Sequence, residues 1–172
     1  MNNRIKLNRI FEDANCFYEC AKRVLGEKNE KGSIDIIKNS QVLILKTPFC
    51  VNIAFACELY FKMLILNNGT TIPHTHKLYE LYDSLLKEQQ KTLCSLFNKP
   101  EEAIEESEAK FLSSLKASSD LFEKYRYGFE NDNLPSIKVM FILNLTEYLY
   151  NMCLNIKEKM NKEFLLVKNK KF

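Results

Sequence analysis

Apolar residues recur every three or four positions along most of the chain, and this spacing predicts amphipathic helices. The first runs from about Leu7 to Leu25, with Ile10, Phe11, Ala14, Phe17, Tyr18, Ala21, Val24 and Leu25 on its stripe and Gly26 as its stop. Residues 33–45 read as either a short helix or an extended strap, since Ile34, Ile36, Ile37 and Val42 to Leu45 suit both. Thr47 as N-cap and Pro48 in the first turn open a second helix, which ends at Asn67-Asn68-Gly69. It is apolar nearly all round, which predicts a central helix surrounded by the others. Thr75 caps a third, whose stripe of Leu78, Leu81, Tyr82, Leu85 and Leu86 continues through Leu93, Leu96 and Phe97. Lys99-Pro100-Glu101-Glu102 opens a fourth, carrying Ile104, Phe111, Leu112, Leu115, Leu121, Phe122, Tyr125 and Phe129. A fifth spans about Leu134 to Met160. The pattern predicts an all-α, up-and-down bundle of about five helices: one domain over residues 1–160, then a Lys-rich tail over 161–172 that frays as a solvated helix end.

Composition sharpens this picture. A chain of 172 residues can bury an independent core, and four Gly with four Pro are too few for the turns of an all-β protein. A net charge of +3 is too mild to imply nucleic-acid binding by itself. No apolar secretory core follows Arg4 and Lys6. The most apolar stretch, Phe49 to Leu66, is interrupted by Asn52, Glu58 and Lys62, so it reads as a buried helix rather than a membrane span. The expectation is a cytoplasmic protein with no membrane partner. Six cysteines lie in apolar helical patterns without CxxC spacing and read as free buried thiols, among them Cys16 and Cys20 four apart on one helix face.

Several chemistries drop out. Glycines at 26, 32, 69 and 128 form no phosphate-cradling loop and no nucleophile elbow. With only His74 and His76, two apart, a metal site has almost nothing to work with, so no metal or cofactor is expected. His76 should instead bond backbone or a neighbouring acid near the third helix. Glu58 and Lys62, four apart on the central helix, make either an ion pair or part of a polar pocket inside the bundle. Arg126 lies among aromatics with Glu130 four positions on, and reads as either a cross-brace or a phosphate binder.

Three segments taken in order carry a family resemblance: Ala54-Phe55-x-x-Glu58-x-x-x-Lys62, then His76-Lys77-Leu78, then Arg126-Tyr127-x-x-Glu130. In this order they resemble the HEPN (higher eukaryotes and prokaryotes nucleotide-binding) domain proteins, a resemblance that covers about residues 5–160. The resemblance implies a helical bundle, often a homodimer. In many members two copies form a cleft for metal-independent RNA cleavage, frequently in toxin–antitoxin or anti-phage defence systems with a partner protein. The family's ribonuclease signature is an Arg followed four to six residues later by His. Here no His follows Arg126 through Asn133. The resemblance therefore implies first an RNA- or nucleotide-binding site of Glu58, Lys62, His76, Arg126, Tyr127 and Glu130. It implies cleavage only through a rearranged catalytic pair, His76 and Arg126. A third reading has the same polar set bracing a protein–protein interaction module.

Overall fold

The computed structural model describes residues 3–25, 42–97, 103–128 and 138–169. Among the described residues every regular element is helical: α1 (Asn3–Leu25), α2 (Val42–Asn67), α3 (Leu78–Asp83), α4 (Lys87–Ser95), α5 (Ile104–Ala117), α6 (Leu121–Arg126) and α7 (Val139–Asn169). The all-α bundle expected from the periodicity is what the chain adopts.

The central place of α2 follows from its composition. With Ile53, Ala54, Ala56, Cys57, Tyr60, Phe61, Met63, Leu64 and Ile65 all fully buried, it can satisfy its surface only by being enclosed. Helices α1, α3, α6 and α7 all pack against it. The segment Lys46–Asn67 is long and apolar enough to cross a membrane by length and composition, yet 67% of its most apolar window is buried inside the bundle. Phe11 and Tyr18 of α1, Tyr60 of α2 and Tyr150 of α7 interlock with ring centroids 5.8–6.5 Å apart, pinning three helices at one seam.

Four boundaries differ from the sequence expectation. Helix α2 already begins at Val42, so Thr47 is not its N-cap and Pro48 lies inside it, where the Asn52 side-chain amide donates to the Pro48 carbonyl at 2.8 Å. Residues 33–41, left open between helix and strap, lie outside the described residues. The expected third helix breaks into α3 and α4 at Ser84–Leu86. The break is sealed by Gln90, whose buried side-chain amide donates to the carbonyls of Tyr82, Asp83 and Leu85 at 3.1, 3.1 and 3.3 Å. Gln89 Oε1 accepts the Leu86 amide at 3.2 Å and starts α4. The expected fourth helix breaks into α5 and α6 around Ser118–Asp120, while its expected opening at 99–102 lies outside the described residues. Finally, α7 runs on to Asn169, so the segment expected to fray continues the last helix.

Two of the thiols also depart from expectation. Cys50, Cys57, Cys94 and Cys153 are buried, but Cys16 and Cys20 are exposed. The reason is rotational: the stripe α1 turns inward is Leu7, Phe11, Ala14, Tyr18 and Ala21, which places 16 and 20 on the outer face.

Candidate functional site

Glu58 is the charged residue that α2 carries into the core, at 1% exposure. A buried carboxylate requires partners, and it has two. Lys62, one turn on, donates to Oε1 at 2.6 Å. His76 places Nδ1 3.0 Å from Oε2 and 3.1 Å from Oε1. Of the alternatives open in the sequence, the structure thus shows an ion pair that is also shared with a histidine.

His76 reaches this position because of the break between α5 and α6. The α3 helix begins at Leu78 with no side-chain cap of its own, and Thr75 Oγ1 accepts only the Lys77 amide, at 3.1 Å. Its first amides are satisfied from elsewhere: Leu78 donates to the Ser119 carbonyl and Tyr79 to Ser119 Oγ, both at 3.1 Å. Ser119 therefore ties the start of α3 to the start of α6, and brings His76 onto Phe122, with ring centroids 5.1 Å apart. Phe122 stacks on Phe55 at 5.1 Å, and Phe55 meets Phe17 edge-on at 4.6 Å. The aromatic series fixes Phe122 as a floor.

Arg126 lies one turn beyond Phe122 on α6. Its guanidinium is 5.7 Å from the Phe122 centroid and 5.3 Å from that of Tyr127, a residue that is 43% exposed. Arg126 is itself exposed and makes no ion pair with a carboxylate among the described residues. Of the cross-brace reading, the aromatic faces of Phe122 and Tyr127 are in place. Glu130 lies outside the described residues. His74 is exposed and does not join His76, and among the described residues no group of three or more His, Cys, Asp and Glu side chains is placed to hold a metal ion.

Sequence spacing thus selected Glu58, Lys62, His76 and Arg126, and the fold brings the first three into contact and links the fourth through Phe122. Ser119 escaped notice, although Ser118-Ser119-Asp120, a polar triplet within an apolar stripe, was a legible break signal. Gln90 escaped too, since nothing local marks a buried glutamine.

Glu58 and Lys62 cancel, leaving the Arg126 charge and, when protonated, that of His76. With Glu58 on Nδ1, the neutral imidazole carries its proton there and leaves Nε2 as the acceptor, whereas the imidazolium offers an Nε2 donor. Nε2 has no hydrogen-bond partner among the described residues. The nearby Cys57 thiol is pushed well up by burial, so it is no nucleophile for this site. The bundle also has a cleft at its far end, where the start of α1 meets the end of α7, lined by Leu7, Met160 and Phe164 among others. No family model, curated protein or solved structure matches this chain.

Proposed function

We propose that this chain binds RNA or a nucleotide through Arg126, His76 and Tyr127, in the manner the HEPN resemblance implies. The observation that carries the reading is the exposed Arg126 guanidinium against Phe122 and Tyr127, with a histidine held by a buried carboxylate packed on the same Phe122. Arg126 and protonated His76 are both cations suited to phosphate oxygens. The resemblance further implies a homodimer, and a partner protein from a defence or antitoxin system. Light scattering on the purified protein tests the dimer.

A second reading, metal-independent cleavage, is favoured by one specific feature: Nε2 of His76, without a hydrogen-bond partner among the described residues, can take the proton of a ribose 2′-hydroxyl while Glu58 steadies Nδ1. Arg126 would then stabilise charge on the phosphate. One experiment separates the readings. End-labelled structured RNA is incubated with the protein in chelator, beside His76→Ala and Arg126→Ala. Retarded, intact RNA supports binding alone. Cleavage lost in both variants replaces that reading with an enzyme. Unchanged retardation by a folded Arg126→Ala sinks the site assignment, and neither retardation nor cleavage leaves the protein-interaction reading.

A further inference from the structure

The six thiols fall into two classes, and the exposed class forms a spaced pair. Cys16 and Cys20 stand one turn apart on the outer face of α1, away from the Leu7–Phe11–Ala14–Tyr18–Ala21 stripe that holds this helix in the core. The other four are buried.

Spacing decides what the pair can do. Side chains four apart on a helix have Cβ atoms about 5–6 Å apart. A disulfide needs about 3.5–4.5 Å, so the two sulfurs cannot join directly without unwinding a turn. That turn is anchored by Tyr18 in the aromatic seam and by Phe17 on Phe55. A single soft atom bonded to both sulfurs at about 2.3 Å each spans the gap without distortion. No third ligand completes the set: among the described residues no cluster of three or more His, Cys, Asp and Glu is placed for a metal. Zinc, which takes four ligands, is therefore poorly served. A centre satisfied by two thiolates is well served.

We propose that Cys16 and Cys20 form a two-thiol site for one thiophilic centre of the trivalent-arsenical kind. The step balances without an oxidant. Two As–S bonds form, the As–O bonds of an arsenic oxide break, and the two thiol protons leave with the oxygen as water. Arsenic stays trivalent throughout. The site is independent of the RNA reading.

The probe is phenylarsine oxide, added to the reduced full-length chain and read by intact mass. The expected result is one adduct per chain, removed by excess 1,2-ethanedithiol, with Cys16 and Cys20 both shielded from alkylation while it is bound. Cys16→Ser and Cys20→Ser should each abolish the adduct while helicity by circular dichroism stays unchanged. An adduct that survives in either variant would place the site elsewhere and overturn the proposal. So would the absence of an adduct on the folded wild-type chain.

Discussion

His76 Nδ1 lies 3.0 Å from Oε2 of Glu58, a carboxylate eighteen positions earlier and almost wholly buried. The contact joins the interior of the bundle to its surface, because the His76 side chain is 43% exposed while its anchor is not. A rigid, buried acceptor orients an accessible imidazole, and that arrangement underlies each functional expectation below.

Removing the anchor should cost stability as well as function. Glu58→Ala leaves the Lys62 ammonium, whose side chain is largely buried, without its 2.6 Å partner. A loss of about 2 kcal/mol is expected, since a charged group in partial burial loses a strong hydrogen bond. For a chain of this size that lowers the Tm by roughly 4–8 °C. Glu58→Gln, which keeps the shape and an acceptor, should lose less. Differential scanning calorimetry checks both, and an unchanged Tm in the alanine variant would show that the pair contributes nothing in solution.

Arg126→Ala should behave oppositely. Its described contacts are the faces of Phe122 and Tyr127, and an exposed cation–π contact is worth about 1 kcal/mol at most. Stability should stay nearly level while RNA retention weakens about tenfold or more, the loss expected of one charge-assisted phosphate contact. A marked fall in Tm would instead identify Arg126 as a structural brace.

Gln90 is a test of the fold rather than the site. Gln90→Leu fills the same space but strips its donors from the carbonyls of Tyr82, Asp83 and Leu85. Tyr82 keeps the Leu85 amide at 3.0 Å, but losing the remaining bonds should destabilise by about 2 kcal/mol. Urea unfolding should show a lower midpoint with an unchanged slope. A neutral result would mean that water reaches these carbonyls.

Alkaline pH should unfold the protein in a defined window. Burial pushes the Cys50 thiol from 9.0 up to about 12 and, with the nearby Glu147 adding to the effect, Tyr18 from 10.0 to about 12. Cys57, Cys153 and Tyr60 are raised further by burial. The folded state therefore holds these protons at pH values where the unfolded chain has released them. Stability is complete below about pH 9 and falls progressively as pH rises towards 12. Urea midpoints measured from pH 7 to 11 should be flat and then decline. A midpoint that stays level through pH 11 would show that these groups are reached by water.

The periodicity of apolar residues determined the helical class, the central position of α2 and the inward stripe of α1, because burial of an apolar face is a local property of spacing. The same spacing singled out Glu58, Lys62, His76 and Arg126, since charge on a core helix and an arginine among aromatics are both costly enough to be noticed. Only the tertiary structure decided the breaks at Ser84–Leu86 and Ser118–Asp120. The first depends on Gln90 folding back onto carbonyls five to eight residues away, and the second is used by Leu78 and Tyr79, about forty residues distant. The outward placement of Cys16 and Cys20 belongs to the sequence as well: they lie opposite the Phe11–Ala14–Tyr18–Ala21 stripe, on the face that carries Glu12, Glu19 and Arg23. The joining of His76 to Glu58, and of both to Arg126 through Phe122, was decided, like the breaks, by the tertiary structure. It depends on where Ser119 meets the start of α3, and a hydrogen bond between distant segments leaves no periodic trace in the chain.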